Sequence, residues 1–137
     1  MGKIVYDVAL MQTISLFEQM SGAQVKDCIA GDPIIFVVNE GEIGKAIGKG
    51  GQNVRRLEDK LKKKVKIVEF SPVLLKFIKN LVAPCSLADI VEDNGVVTMM
   101  AKDLKTRGLL IGRSASNLRS FEAVIQRYFP IKELKVA

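Results

Sequence analysis

The stretch Ile43 to Leu57, "IGKAIGKGGQNVRRL", puts three glycines among the four residues Gly48 to Gly51, between two segments of helical character, and sets Lys45, Lys49, Arg55 and Arg56 around them. A Gly-x-x-Gly turn between helices leaves the first N–H groups of the following helix without intrahelical acceptors. Backed by the helix dipole, such groups favour an anion. Glycine clears side chains from the approach, so a phosphate can meet the backbone directly. Lys49 and Gly50 are expected at the tip. A nucleotide-enzyme phosphate loop does not fit: Gly44 to Gly48 encloses three residues where four are needed, and Lys49 is followed by Gly50 in place of Ser or Thr. The dinucleotide fingerprint fails too, because Gly48, Gly50 and Gly51 do not match its spacing and the loop follows a helix.

The same stretch returns 64 positions later. "IGKGGQNVRRLE" (Ile47 to Glu58) aligns with "IGRSASNLRSFE" (Ile111 to Glu122), with Ile47, Gly48, Asn53, Arg55 and Glu58 recurring as Ile111, Gly112, Asn117, Arg119 and Glu122, and Lys49 becoming Arg113. Val54, Leu57 and Leu61 fall at helical spacing, as do Leu118, Phe121 and Ile125, so each half buries one helical stripe after its turn. The flanks repeat in kind. In the first half a helix is expected from about Asp7 to Met20, with Leu10, Ile14 and Phe17 on one face. Strands follow at Ala23 to Ala30 and Ile34 to Asn39, and a last strand at Lys64 to Phe70. In the second half Ser71 is expected to cap a helix that Pro72 starts, with Leu74, Phe77, Ile78 and Leu81 buried. Strands at about Ser86 to Glu92 and Val96 to Ala101, a short helix near Leu104 to Ile111, a longer one to Arg127 and a final strand in "IKELKVA" complete the same order. The fold class is α+β: two units of order α-β-β-α-α-β, residues 1–70 and 71–137, each a three-stranded sheet covered by helices. Almost nothing separates Phe70 from Pro72, which predicts adjacent halves without a flexible linker.

Charge concentrates on the first loop. Between Ile43 and Lys66 nine basic residues stand against Glu58 and Asp59, a local net of +7 in a chain whose total is +6, so the remainder sums to −1. Such a block around a glycine loop is the footprint of a polyanion binder. Lys62 to Lys64 serve equally well as a solvated surface or a strand-edge guard.

The sequence contains no histidine, which removes the commonest general base and metal ligand together, and Cys28 and Cys85 lie in no metal-binding pattern and read as small core residues. The acidic pairs Glu40 with Glu42, Glu58 with Asp59 and Glu92 with Asp93 sit in polar segments. The expectation is therefore no enzyme, no cofactor, no metal and no small-molecule substrate. No apolar run is long enough to cross a bilayer, and the first twenty residues lack the continuous apolar centre of a secretory signal, so a cytoplasmic protein without a membrane partner is expected. Gly2 without Ser or Thr at position 6 makes a poor myristoylation site.

The run "IGKGGQNV", Ile47 to Val54, with the α-β-β-α-α-β order, resembles the KH domain in its type II, or prokaryotic, form. Two such repeats filling the chain resemble the archaeal NusA-like transcription factors. The resemblance implies single-stranded RNA held beside the loop, about four nucleotides per unit. It implies that Gly48, Lys49, Gly50 and Gly51 clamp the RNA backbone, over an apolar floor of Ile43, Ala46, Ile47 and Val54. Lys45, Gln52, Asn53, Arg55 and Arg56 complete the first site. In the second loop, "GRSA" (Gly112 to Ala115), Ala115 replaces the last glycine and Ser114 stands where Gly50 does, so a weaker, supporting site of Gly112, Arg113, Ser114 and Asn117 is expected, with Arg107, Arg119 and Ser116 nearby. With no Trp, and no aromatic residue in either loop, extensive base stacking is not expected. The implied role is a transcription elongation or termination factor gripping nascent RNA, with RNA polymerase as a further partner whose contact is left open. A KH factor of the ribosome or of RNA processing, and a protein-docking module without RNA affinity, are the alternatives.

Overall fold

The computed structural model describes residues 8–137; Asp7, expected to open the first helix, and Gly2 lie outside the described residues. The chain divides into two compact units, one ending at Ser71 and the other running from Pro72 to Ala137.

The first unit opens with α1 (Val8–Ser21). Gly22, at φ +73°, ends it by donating its N–H to the Glu18 carbonyl at 2.9 Å. Strands β1 (Val25–Ile29) and β2 (Ile34–Val38) pair antiparallel. Then come α2 (Ile43–Ile47), a single 3-10 turn at Lys49–Gly51, α3 (Gln52–Leu61) and β3 (Val65–Glu69). β3 lies parallel to β2, giving the order β1-β2-β3. The period of two in β2 turns Ile34, Phe36 and Val38 to one face, where they meet Phe17 and Leu57, one residue from each covering helix. Leu10, Ile14, Ile43 and Leu61 close around this core. The Phe17 and Phe36 rings sit 4.6 Å apart at 54°. Each such buried side chain contributes roughly 1.5–3 kcal/mol.

The second unit runs α4 (Leu74–Val82), β4 (Leu87–Asp93), β5 (Val96–Ala101), α5 (Leu104–Ile111), a 3-10 turn at Arg113–Ala115, α6 (Ser116–Gln126) and β6 (Glu133–Val136). β4 and β5 form a hairpin through Asn94 and Gly95, both at positive φ as a two-residue turn requires. β6 again joins the middle strand in parallel. Phe77, Ile78 and Leu81 are fully buried, as their spacing predicts, whereas Leu74, expected with them, sits in the first turn only half-buried. The helix starts later than expected: its N-cap is Val73, with no side-chain cap, and Ser71 is buried. The mixed α+β class and the two three-stranded sheets agree with the sequence reading.

Both sheets carry one irregularity at the same place. The register slips between Val25 and Asp27 in β1 and between Leu87 and Asp89 in β4, and in each case the aspartate Oδ1 accepts the next residue's N–H at 2.8 Å. A bulge frees an N–H from its ladder, and the carboxylate satisfies it.

Candidate nucleic-acid interface

α2 is only five residues long, and its side chains divide by face. Ile43 and Ala46, three apart, turn inward; Ala46 is fully buried in the core. That corrects the expectation that Ala46 lines an outer floor: a methyl locked into the core has no surface to offer. Ile47 is 37% exposed and Val54 half-buried, so these two remain available beside the loop.

Gly48 ends the helix at φ +77°, ψ 170°, a region open essentially to glycine alone. Its N–H still reaches back to the Gly44 carbonyl at 3.0 Å. Gly50 (φ +63°) and Gly51 (φ +76°) follow in left-handed conformations, and α3 departs from Gly51 without a side-chain cap on its first turn. Asn53 staples the turn by donating its Nδ2 to the Lys45 carbonyl across it at 2.8 Å. A Cβ on Gly48 would come within 2.9 Å of the Asn53 Cγ and Nδ2. Gly48 is therefore glycine because Asn53 fills the place of its side chain, not because a ligand does. Arg55 donates to the Gly50 carbonyl at 2.6 Å, holding the tip from below.

Charge gathers on this frame. Lys49, Gly50, Gln52, Arg55 and Arg56 are exposed, and Lys45, also exposed, pairs with Glu42 at 3.5 Å. Among the described residues Lys49 and Arg56 enter no ion pair, so their charge is open to solvent. The structure thus brings Lys45, Ile47, Gly48, Lys49, Gly50, Gly51, Gln52, Asn53, Arg55 and Arg56 together around one turn, while assigning Asn53 and Arg55 a structural task that sequence reasoning gave to a ligand.

The second loop repeats the trace. Gly112 has φ +73°, ψ −180°, Ser114 φ +53° and Ala115 φ +62°, although neither of the last two is glycine. Asn117 donates to the Leu109 carbonyl at 2.8 Å, and a Cβ on Gly112 would meet the Asn117 Cγ at 2.7 Å. The departures from glycine change what stands on the loop without changing its path. Arg119 is drawn away, bonding Glu122 at 2.8 Å, so Arg113, Ser114 and Arg107 supply the exposed polar surface. Asp103 caps α5, and its bonds from the Thr106 N–H and hydroxyl hold its carboxyl below the usual carboxylate value.

One recurring residue has a role missed in the sequence. Glu58 accepts the Val65 N–H, and Glu122 the Leu134 N–H, each at 2.9 Å, tying the helix after the loop to the last strand. Its signal was present: glutamate is among the five identities shared by the two stretches. Among the described residues no group of three or more potential metal ligands comes together, and no helix is long and apolar enough to cross a membrane.

Comparison with known proteins gives a consistent picture. A family model for the KH domain matches residues 12–83. A Methanococcus vannielii protein called probable transcription termination protein NusA is 41% identical over 127 residues, covering 90% of this chain and 73% of that one. Its Methanocaldococcus jannaschii counterpart of the same name is 36% identical, covering 99% of this chain and 76% of the relative. The crystal structure of APE1850 superposes with a TM-score of 0.75 at 27% identity, covering 96% of this chain and all of that one.

Proposed function

The chain belongs to the KH-domain family, among the archaeal homologues called probable transcription termination protein NusA, and from that premise we propose that it is a non-enzymatic factor that grips single-stranded nascent RNA through two tandem type II KH domains, residues 1–70 and 71–137. The observation that carries the proposal is the exposed turn at Gly48 to Gly51, with Lys49 and Arg56, which enter no ion pair among the described residues, beside it and an uncapped helix behind it. Bonds to the RNA backbone come from the turn and its bases. Ile47 and Val54 offer a base an apolar edge. The second turn, with the same trace and Arg113 at its tip, holds RNA at lower affinity because Ser114 and Ala115 stand in the approach. Bound to nascent RNA in the cytoplasm, the factor biases elongation or termination, and RNA polymerase is its neighbour there.

One observation favours a second reading. Leu104 and Leu109 are 86% and 55% exposed on α5, which suits a protein-docking second unit. Salt separates the two. RNA affinity should fall with a log–log slope of about −0.7 per phosphate contacted, and docking on leucines should not. The test is binding of a single-stranded RNA pool to wild type and to the Lys49→Asp, Gly50→Asp variant across a salt series. Loss of most affinity and of slope in the variant is expected. Equal binding by the two proteins overturns the reading.

A further inference from the structure

The second sheet has one face in the core and one accessible. Ile90, Val97, Met99 and Leu134 are buried on the core side. Side chains alternate along a strand, so the positions between them face outward. On that outer face Asp89 stands opposite Met100, Val91 opposite Thr98 and Asp93 opposite Val96, while Glu133 of β6 lies beside Val96 and Lys135 beside Thr98. Val91 is 48% and Met100 38% exposed. A solvated sheet face is commonly polar at its outward positions. Here the middle strand turns Val96, Thr98 and Met100 outward with Val91 next to them, so the apolar positions are contiguous and not scattered singly.

Carboxylates surround this strip. Asp89, Asp93 and Glu133 share the face with one cation, Lys135, and among the described residues none of the three acids enters an ion pair. In a chain of net charge +6 this reverses the surface around the two turns, where Lys49, Arg56 and Arg113 are exposed. Such a face repels phosphate, so RNA is not its occupant.

We propose that the outer face of the second sheet is a docking surface for a basic protein segment, which sets an apolar side chain on Val91 and Met100 and pairs its lysines or arginines with Asp89, Asp93 and Glu133. Charge complementarity identifies the occupant: the apolar centre supplies affinity, and the acidic rim selects and orients a partner that carries cations. No residue of either turn contributes to this face, so protein docking here and RNA gripping at the turns are separate activities.

The probe is a short fluorescein-labelled peptide of alternating lysine and valine, titrated into the full chain and followed by anisotropy, with a peptide of equal charge that carries serine in place of valine for comparison. Wild type should bind the valine peptide about tenfold or more tighter than the serine peptide. Val91→Ser with Met100→Ser should remove that preference. Asp93→Asn with Glu133→Gln should weaken binding about tenfold and flatten its salt dependence, Asp89 being left in place because it serves the bulge. Both pairs of substitutions lie on the surface, so the thermal midpoint and the affinity for single-stranded RNA should stay close to wild type. Equal binding of the two peptides, or binding of neither, overturns the proposal and leaves a solvated acidic surface. Loss of RNA affinity in either variant overturns it by assigning the face to RNA. Sedimentation showing a wild-type dimer that Val91→Ser with Met100→Ser abolishes overturns it by giving the face to a second copy of the chain. Lys49→Asp with Gly50→Asp should leave peptide binding unchanged, so the RNA-gripping reading and this one stand or fall separately.

Discussion

Gly48→Ala is the substitution whose cost is best defined by the geometry. At φ +77°, ψ 170° an alanine carries backbone strain of about 1–3 kcal/mol. Its Cβ would also lie 2.9 Å from the Asn53 Cγ and Nδ2 and 3.1 Å from the Asn53 nitrogen. The side chain must swing away and give up its 2.8 Å bond to Lys45, worth about 0.5–1.5 kcal/mol. The expected loss is therefore about 2–4 kcal/mol. Asn53→Ala alone should cost about 1 kcal/mol, because the Lys45 carbonyl it leaves is exposed to water. The double variant decides whether the two are one device. With no amide to displace, it should lose about 1 kcal/mol less than the sum of the single losses. Urea unfolding followed by far-UV circular dichroism measures all three, provided the m-values match. A Gly48→Ala loss below about 1 kcal/mol, or strict additivity, would refute the account. Gly112→Ala with Asn117→Ala should repeat the pattern.

Other residues give simpler expectations. Ser114→Gly and Ala115→Gly each relieve about 1–2 kcal/mol of left-handed strain and lose part of it to chain entropy, so each should stabilise by up to about 1 kcal/mol in urea. Lys62→Gly should stabilise similarly, because Lys62 ends α3 at φ +56°. Glu122→Ala leaves the Leu134 N–H and Arg119 without their partner and should cost about 1–3 kcal/mol, with faster amide exchange at Leu134 in NMR. Asp103 has its folded pKa depressed, so its cap stabilises fully above its ordinary value of 3.8 and is lost as pH falls through the lower folded value. The stability gap between wild type and Asp103→Ala should accordingly close in acid and stay constant near neutrality.

The sequence was most readable where one residue type has one physical use. The short apolar, β-branched run of Ile34 to Val38 marked a strand, and the stripe of Phe77, Ile78 and Leu81 marked a helix together with its buried face. Ser71 misled because a hydroxyl followed by Pro resembles a cap, yet here it is buried and the helix waits for Leu74. Ala46 misled because its neighbours in the signature are exposed; on a helix of five residues, membership in a motif says nothing of face, and the three-residue step from Ile43 does. Asn53 and Asn117 were visible as recurring residues, but nothing in one dimension tells an amide bonding a carbonyl eight residues back from one waiting for a ligand.

The second loop bears on how much a glycine signature means. Its two lost glycines suggested a weaker, supporting site, yet Ser114 and Ala115 take the positive φ values that Gly50 and Gly51 take, at roughly 1–2 kcal/mol each. Such strain persists only where the surroundings over-determine the backbone. Here the constraint comes from both ends: Gly112 packed under Asn117, and Leu118 in the following helix buried. The first glycine and the asparagine therefore fix the shape of the turn, and the later glycines fix how closely anything can approach it. Placing Ser and Ala at Gly50 and Gly51 should then leave the Asn53 to Lys45 bond and the fold in place while RNA affinity falls, an outcome readable from amide chemical shifts and a binding curve on the same sample. Collapse of the turn in that variant would return the shape to the glycines and undo the distinction.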